Sequence, residues 1–430
     1  MRKRILIAVF ATLAMAGAAA SGAGSPSPAP QAEALRILVA EGEGQDFWPN
    51  WRGPSGQGLV AGSGYPDTWS DTENVVWKVT VPGRGHSSPI IWGNQIFLTT
   101  AYNGGTRATL LSFDRRDGEL LWETEAPFVR GEHLHQKNSH ASATPVTDGE
   151  LVFASFGQQG LVAVDLAGEL VWHNRIEDLD NYHGSAGSPI LYKDTVILYQ
   201  DHQGDSFVAA FDKRTGEVAW RTERATRTGW GTPIVIDAGD RDELIVSSQG
   251  KVFAYNPDTG AELWTVSGNL FEVIPTPAIG HGMIFASSGR AGPTMAIRPG
   301  GSGDVTETHV VWTTPKGSPF VPSPIVIGEY LFLINDMMSI VTGYEARTGE
   351  LLFQGRLGAA SRESFSASPV AVDGKVFFTN DQGQTFVLEA GPEFKLLHVN
   401  ELHARTLASP ALVDGHWYFR TDSELIAIGN

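Results

Sequence analysis

A Ser/Thr-Pro step followed by an apolar residue recurs eight times and constrains the fold more than any other feature of the chain. The intervals between successive prolines are 56, 44, 44, 44, 47, 45 and 41 residues. A near-constant period of this length is typical of an architecture that repeats one supersecondary unit. The eight prolines are Pro89, Pro145, Pro189, Pro233, Pro277, Pro324, Pro369 and Pro410.

Each repeat contains four short β segments. In the second repeat, Val146-Thr147 leads into an Asp148-Gly149 turn and then into the run Leu151-Val152-Phe153-Ala154. Asp-Gly turns between β-branched and aromatic residues are typical of hairpins. A third and a fourth strand follow at residues 161–165 and 170–172, so each repeat predicts one four-stranded antiparallel blade. The predicted fold is therefore an all-β, eight-bladed β-propeller.

The two ends of the repeat region predict how the ring closes. A fourth-strand segment follows seven of the eight Pro steps, but none follows the last strand, Leu425-Ile426-Ala427-Ile428. A segment with the same pattern, Val75-Val76-Trp77-Lys78-Val79, stands before the first Pro step. We therefore predict that this N-terminal strand completes the C-terminal blade, with Trp77 beside Trp417-Tyr418-Phe419. Such closure removes the exposed sheet edges that invite aggregation.

The N-terminus has the pattern of a secretory signal. Arg2-Lys3-Arg4 precede an apolar run that ends near Met15, and small residues continue to Ala23. Basic, apolar and small-residue regions in this order predict export and cleavage, so we expect a periplasmic or secreted protein with no transmembrane segment after cleavage. The predicted organisation is a signal peptide at 1–23, a flexible tether at 24–46, an N-terminal extension at 47–74 and the propeller at 75–430.

Composition excludes several classes of function. Lys and Arg number 31 against 48 Asp and Glu, a formal charge of −17 at pH 7. Nucleic-acid binding depends largely on Lys and Arg contacts to phosphates, so no nucleic-acid partner is expected. The chain has no Cys, which excludes disulfides, thiolate metal sites, a catalytic Cys and a lipid anchor through Cys.

The turn between the third and fourth strands carries a resemblance to a known family. It reads Asp212, then Thr215-Gly216-Glu217, then Trp220, and similar turns recur along the chain. This motif resembles the repeat of the pyrroloquinoline-quinone (PQQ) propellers, which include quinoprotein alcohol dehydrogenases and the BamB proteins of the outer-membrane assembly machinery. The opening Trp48–Pro54 and the run Lys137–Ser142 resemble secreted bacterial PQQ-binding-like repeat proteins. The resemblance covers about residues 69–430.

The chain also departs from both groups of relatives. The quinoprotein alcohol dehydrogenases hold PQQ beside an adjacent pair of Cys residues, and BamB carries a lipidated Cys after its signal. Neither feature can exist here. The resemblance leaves PQQ with calcium open as a cofactor, although the usual site is missing.

The start of the innermost strand in each blade predicts a ligand site. In a propeller, residues three to seven positions before each Pro should surround one mouth of the central channel. Convergent polar groups with aromatic walls are typical of small-ligand sites; the alternative is a solvated rim whose charges pair with one another. The candidate ligand-binding residues are Arg84, His86, His140, Tyr182, His183, Arg227, Trp230, Phe271, Glu272, Glu363, Phe365 and Arg405.

A weaker candidate lies in the long connection from the first to the second repeat. His133 and His135 alternate as on a strand and could bind a metal together with Glu132 or His140. The same pattern is common in ordinary surface sequence. The acidic run Asp237–Asp242 falls where a hairpin turn is expected, which favours solvated carboxylates over a cation site.

No catalytic motif stands out against this repeat. The sequence therefore favours an exported, non-catalytic propeller in the bacterial envelope that binds a small ligand or acts as a protein-interaction scaffold. The alternative is a PQQ-dependent quinoprotein oxidoreductase. A third interpretation, a subunit of an envelope complex that engages peptides, remains open.

Overall fold

Eight four-stranded antiparallel sheets surround a central channel in the computed structural model of the chain, which confirms the predicted eight-bladed propeller. The structure describes residues 35–38, 40, 42–127, 132–176, 178–290, 292–359 and 365–430. The predicted signal peptide at 1–23 lies outside these residues. Within the described part of the chain, no helix has both the length and the apolar character needed to cross a membrane.

Each blade runs outward from the channel through four strands. The four Pro steps of the first half begin blades 1 to 4. The strands, innermost first, are Ile90–Trp92, Gln95–Tyr102, Arg107–Asp114 and Leu120–Glu125 in blade 1; Val146–Thr147, Leu151–Ser155, Leu161–Asp165 and Leu170–Asn174 in blade 2; Ile190–Tyr192, Thr195–Gln200, Phe207–Asp212 and Val218–Glu223 in blade 3; and Ile234–Asp237, Asp242–Ser247, Lys251–Tyr255 and Glu262–Ser267 in blade 4.

The second half of the chain repeats the same order. The strands are Ala278–Gly280, Met283–Ser287, Thr294–Ile297 and Val310–Thr314 in blade 5; Ile325–Ile327, Tyr330–Asn335, Ile340–Glu345 and Leu351–Arg356 in blade 6; Val370–Val372, Lys375–Thr379, Gln384–Glu389 and Leu396–Glu401 in blade 7; and Ala411–Val413, His416–Arg420, Glu424–Ile428 and Val75–Thr80 in blade 8.

Blade 8 closes the ring as the sequence predicted. Val75–Thr80 pairs antiparallel with Glu424–Ile428, so the outermost strand of the last blade comes from the N-terminal side of the repeats. The Trp77 ring lies 6.1 Å from the ring of Tyr418. This arrangement ties the two ends of the repeat region into one sheet.

Contacts between neighbouring blades explain the recurring spacing of the turn motif. In blade 1, Trp122 donates its indole N–H to the carbonyl of Leu166 in blade 2 at 3.1 Å. A Cβ at Gly168 would lie only 2.8 Å from the Trp122 ring, and this glycine has a φ of 93°. Gly is therefore needed both for the left-handed turn and for the close approach of the tryptophan. Trp77, Trp172, Trp220 and Trp312 make the same contact with the next blade.

Blade 4 carries additional segments at both edges. Arg36–Ile37, inside the segment predicted as a tether, pairs antiparallel with the innermost strand. Gly303–Asp304 pairs in parallel with the outermost strand, and the short helix Thr306–His309 follows it. Elsewhere in the described residues, 3-10 helices occur at Gly42–Gln45, Asn103–Gly105 and Gly157–Gln159. Helices therefore make up only a small part of the residues that the structure describes.

Candidate functional site

The residue before each of the eight prolines forms a closed ring of hydrogen bonds around the channel. Each backbone N–H donates to the side-chain hydroxyl of the equivalent residue in the next blade, with N···O distances from 2.8 to 3.4 Å. The Ser/Thr of the repeat thus joins the blades at the channel wall. We call this ring the belt; its members are Ser88, Thr144, Ser188, Thr232, Thr276, Ser323, Ser368 and Ser409.

A second ring lies two positions earlier in every blade. Side chains of an extended chain alternate between two sides, so residues one and three positions before the Pro both face the channel. All eight residues at the second position line the same cavity. We call them the upper ring: His86, Ser142, Ala186, Trp230, Ile274, Val321, Ser366 and Leu407.

The N-terminal extension closes one end of the channel. Trp48 and Ile91 of blade 1 exchange backbone hydrogen bonds at 3.1 and 2.8 Å. The buried Arg52 donates to the carbonyls of Pro324 and Pro369, both at 3.2 Å. Burial lowers the pKa of Arg52 to about 9. Trp51 between them lines the cavity, so the extension forms a floor.

Further bonds fasten this floor to other blades. Pro49 accepts from the backbone N–H of Thr147 in blade 2, and the Gln57 side chain accepts from Ile279 in blade 5 at 3.0 Å. Val60 donates to Ala371 in blade 7 at 2.9 Å. The extension therefore spans several blades.

The opposite end is an open mouth above a cavity of about 250 Å³. The loops between blades and the loops between second and third strands surround this mouth. Besides the belt, the upper ring and Trp51, the cavity is lined by His135, Lys137, Asn138, His183, Glu272, Arg290, Phe320 and Ala408.

Residues 132–140, which we call the strap, hold one side of the mouth. The Nζ of Lys137 lies 2.6 Å from the Oδ2 of Asp381 in blade 7 and donates to Ser366 at 3.1 Å. Asn138 donates to the carbonyl of His183 at 2.8 Å, and Arg84 donates to the carbonyl of Gln136 at 3.2 Å. The strap therefore connects the mouth loops of several blades.

Aromatic rings line the side of the mouth at blades 3 and 4. The His183 ring stacks on Trp230 with centroids 5.9 Å apart and an interplanar angle of 24°. The His135 ring lies 4.8 Å from the His183 ring, and Tyr182 meets Trp230 edge-on at 5.8 Å. Trp230 is held by a 2.8 Å bond from its indole N–H to the carbonyl of Gly184.

An ion pair stands next to these rings. The Oε2 of Glu272 lies 3.4 Å from the Nε of Arg290, and the Tyr182 hydroxyl donates to Glu272 at 3.4 Å. Glu272 has a φ of 57°. A non-glycine residue in this region is uncommon and costs conformational energy, which marks the mouth as a place where packing overrides local preference.

His86 differs electrostatically from the other imidazoles. Its side chain is only 7% exposed, with Nε2 3.9 Å from Asp422. Burial lowers the pKa of His86 to about 3, and the Arg420, Arg84 and Arg405 guanidiniums act in the same direction, while Asp422 opposes them. His86 is therefore neutral at pH 7. Burial also lowers the pKa of His183.

The structure brings only part of the predicted mouth set together at the cavity. His86, His183, Trp230 and Glu272 line it, with Tyr182 directly behind. Phe271 is 50% exposed beside it. Glu363 lies outside the described residues.

Four predicted residues lie at the mouth but do not line the cavity. Arg84 holds the strap, and Arg405 pairs with Asp422 at 2.9 Å. Arg227 donates to Gln203 at 2.8 Å, and His140 packs against Gly105 between blades. Their contacts hold them outside the cavity, although Glu272 and His183 stand at the same distances from their Pro steps and line it.

Phe365 was predicted at the mouth and instead lies in the core of blades 6 and 7, at 1% exposure. Its ring packs against Phe386 of blade 7 with centroids 6.0 Å apart. Phe320 stands at the same offset from its Pro step and lines the cavity, so the loop of each blade, and not the offset, decides where the ring packs.

The three weaker metal candidates are separated. Glu132 accepts bonds from the backbone N–H groups of Gln158 and Ser185, at 2.6 and 2.8 Å. His133 is exposed, whereas His135 lines the cavity. The segment forms a loop, not the strand on which the prediction rested. Across the described ranges, no group of three or more His, Asp or Glu side chains is arranged to hold a metal ion.

The cavity is a poor fit for PQQ with calcium. Ca²⁺ takes six to eight oxygen ligands, most of them carboxylates or carbonyls. Among the described lining residues, Glu272 is the single carboxylate, and it faces Arg290. The donor set therefore does not match a calcium-bound quinone.

Several lining residues were missed by sequence reasoning. The hydroxyl of the Ser/Thr-Pro step and the position two residues before it were visible in every repeat, and alternation alone could have identified them. Phe320 stands four residues before Pro324, inside the predicted window, but was not among the candidates. Lys137 and Arg290 had no comparable signal, because irregular loops bring them to the mouth. Trp51 also required the fold of the extension.

Comparison with known proteins agrees with this architecture. The family model described as outer membrane protein assembly factor BamB matches residues 49–204, 141–354 and 204–429. The BamB protein of Yersinia pestis is 25% identical over 222 residues, which cover 49% of this chain and 50% of that protein. The chain thus spans about half the length of this relative.

Two solved structures share the fold. BamB from Moraxella catarrhalis has a TM-score of 0.59 at 14% identity, over 83% of this chain and 97% of the other. A europium-containing methanol dehydrogenase has a TM-score of 0.65 at 12% identity, over 89% and 90%. The overlapping family matches together span nearly all of the propeller, and the chain therefore belongs to the BamB family of PQQ-like β-propellers.

Proposed function

We propose that this chain is a non-catalytic binding propeller of the bacterial envelope and that the channel mouth is its binding surface. The observation that carries the proposal is the asymmetry of the channel, which has a floor at one end and an open, lined cavity at the other. A concave site with mostly apolar walls and a few placed polar groups is how proteins bind small molecules or inserted side chains.

Exposed apolar side chains next to the mouth extend this surface. Phe271 is 50% exposed, Leu270 43% and Tyr182 39%. Exposed apolar groups beside a cavity favour a binding role, because solvent contact of this kind is costly without a partner. Membership in the BamB family supports a protein-interaction role, and the N-terminal pattern supports export.

The charged groups of the cavity favour binding over catalysis. Lys137 is paired with Asp381 and Arg290 with Glu272, so these groups neutralise each other. The quinoprotein alternative is supported by fold alone, since the likeness to the methanol dehydrogenase is at 12% identity. The cavity's donor set does not favour that alternative.

The decisive experiment compares the two ends of the channel. A photo-crosslinking amino acid is placed at Phe271 beside the mouth or at the exposed Ala167, in the third-to-fourth strand turn of blade 2 at the floor end. In cells of the source bacterium, we expect adducts from Phe271 and far fewer from Ala167. Equal adducts at both ends, or none at Phe271, would contradict a mouth-specific binding role.

Two further measurements test the other parts of the proposal. Purified protein with added PQQ and Ca²⁺ should not reduce an electron-accepting dye in the presence of alcohols, and turnover would establish the quinoprotein alternative. Cell fractionation with intact-mass analysis should find the protein in the envelope, cleaved between about Ala20 and Gly24. A cytoplasmic protein that still begins at Met1 would refute export.

A further inference from the structure

We propose that the channel cavity binds a neutral, polyhydroxylated ring of pyranose size, that is, a monosaccharide or a single sugar unit of a larger glycan. The inference rests on the proposed binding function of the mouth and specifies its ligand. Four properties of the cavity lead to it: charge balance, the chemistry of the belt, the distribution of apolar groups and the volume.

Charge balance indicates a neutral ligand. The charged side chains that line the cavity are Lys137, Glu272 and Arg290. Lys137 is 2.6 Å from the carboxylate of Asp381, and Arg290 is 3.4 Å from that of Glu272. An ionic ligand would bring an additional charge into a partly desolvated site whose charged side chains already face opposite charges, which is unfavourable.

The belt offers hydroxyl groups to a ligand, but its backbone N–H groups are not available. Anion sites in irregular backbone depend on N–H groups that point at the ligand. In the belt, all eight N–H groups already donate to the neighbouring hydroxyl. A hydroxyl that accepts one such bond keeps a proton and a second lone pair, so it can pair with another hydroxyl in either direction. Thr276 is an exception, because its hydroxyl also donates to the carbonyl of Thr232 at 3.0 Å.

The walls above the belt are divided between polar and apolar groups. The apolar part of the upper ring consists of Ala186, Trp230, Ile274, Val321 and Leu407, and Trp51 lies in the floor. A pyranose has polar edges and apolar C–H faces, so it suits hydroxyls below and aliphatic or indole surface beside it. A fully apolar ligand would leave the belt hydroxyls without partners, which costs free energy.

The volume limits the ligand to about one ring. The cavity of about 250 Å³ is just below the ~300–1,000 Å³ range of typical small-molecule pockets. A single six-membered sugar ring is of suitable size, whereas a fused tricyclic acid would need more room. A glycan would therefore insert one terminal unit and leave the rest at the mouth.

The test is isothermal titration calorimetry of the mature protein with matched methyl pyranosides. The neutral set comprises the gluco, galacto, manno and N-acetylgluco compounds, and the charged set comprises the 6-carboxylate and 6-amino analogues of the gluco compound. We expect at least one neutral compound to bind with a Kd below ~1 mM. The two charged analogues should bind at least ~10-fold more weakly than the gluco parent.

Two variants connect binding with the cavity. Ala186→Phe places a ring inside the upper ring and should abolish binding, whereas Ala167→Phe makes the same change at the exposed floor-end turn and should leave the Kd unchanged. Trp230→Ala should weaken binding at least ~10-fold and serves as the second variant if Ala186→Phe does not fold. Thermal melting confirms that each variant is folded.

The inference is wrong if no neutral pyranoside binds, if a charged analogue binds as tightly as its parent, or if binding survives both cavity variants. Crosslinking at Phe271 separates this failure from failure of the proposed function. Mouth-specific adducts without sugar binding would refute the sugar ligand and leave the binding role intact. The absence of both would refute the two proposals together.

Discussion

The two ends of the channel are built by different means. At the floor, the extension is fastened by backbone bonds such as the Trp48–Ile91 pair, and the buried Arg52 adds bonds to carbonyls of two blades. At the mouth, loops of unequal length are held mainly by side chains such as Lys137 and Glu272. The floor is thus part of the folded core, whereas the mouth consists of loops whose side chains differ from blade to blade.

This difference indicates which substitutions should affect stability and which should affect binding. Backbone hydrogen bonds at the floor form with many side chains, but they depend on the packing of the buried ones. Side chains in the mouth loops can change while the blades stay folded. Mutations at the floor should therefore lower the free energy of unfolding, and those at the mouth should mainly change affinity. The four predictions below test this contrast, from the largest effect to the smallest.

Trp48→Ala at the floor should give the largest loss of stability. Trp48 is 1% exposed and packs in the cluster that joins the extension to blades 1, 7 and 8. Truncation of such a side chain costs ~3–5 kcal/mol because it leaves a cavity. Thermal melting should show a clear drop, with Trp48→Phe as the control that retains most of the packing. A melting temperature unchanged by Trp48→Ala would mean that the floor is not part of the core.

Ser368→Ala in the belt should have an intermediate effect. The Ser368 hydroxyl accepts from the backbone N–H of Ser323 at 2.9 Å. Its removal leaves that buried N–H without this partner, at a cost of ~1–3 kcal/mol. Ser368→Thr should be close to neutral, since Thr occupies three other belt positions. Equal losses in urea denaturation for both variants would point to a steric effect instead of the lost bond.

The stability of the mouth should depend on pH through His86. Its pKa is lowered to about 3 by burial, so the unfolded chain takes up a proton below about 6.5 that the folded chain does not. The favourable contribution is complete above pH 6.5 and is lost progressively as the pH falls towards 3. By pH 5.5 the loss should be about 1 kcal/mol.

Variants isolate this effect from other groups. Burial raises the pKa of Asp336 to about 6, which has the opposite sign, because stability from that group increases as the pH falls below 6. Urea denaturation at pH 7 and 5.5 should therefore compare wild type with His86→Asn, which should lose less stability. His403→Asn, at a 62% exposed side chain, is the control and should retain the wild-type difference.

Arg227→Ala at the outer mouth should have the smallest effect. Arg227 is exposed and donates to Gln203 without lining the cavity. Exposed substitutions of this kind usually change stability by less than ~0.5 kcal/mol. The Kd of a cavity ligand should also change little, in contrast to Trp230→Ala. A ~10-fold loss of affinity would extend the site to the outer rim.

The predicted blades and ring closure came from local patterns, and both are found in the structure. The turn motif around Gly168 and Gly216 places a tryptophan at a fixed distance from a left-handed glycine, so its function between blades is encoded within one repeat and its neighbour. Val75–Thr80 was recognisable as a fourth strand because its pattern matched those of the other blades. Such contacts depend on spacing that recurs in the sequence.

The candidate site was only partly predictable, because only some of its residues stand at positions that recur in every repeat. His86 and Trp230 were identified because they stand at a repeated offset from the Pro step. Phe365 lies in the same window of positions but packs in the core of blades 6 and 7, because the offset does not specify the path of each loop. Lys137 and Arg290 lie in loops whose paths follow no repeat. Their places at the mouth depend on contacts with residues far apart in the chain, such as the pairing of Lys137 with Asp381.

The sequence by itself determined the number of blades, their order and the closing strand, because hydrogen-bonded β-strands and tight turns leave a periodic pattern of residue types. Only the tertiary structure decided that the channel has a floor and a mouth. The extension contains no repeat, and Trp51 lines the cavity because the extension is bonded to blades that are distant in sequence. The balance of charges was likewise decided in space, since an ion pair depends on the distance between side chains and not on their separation along the chain.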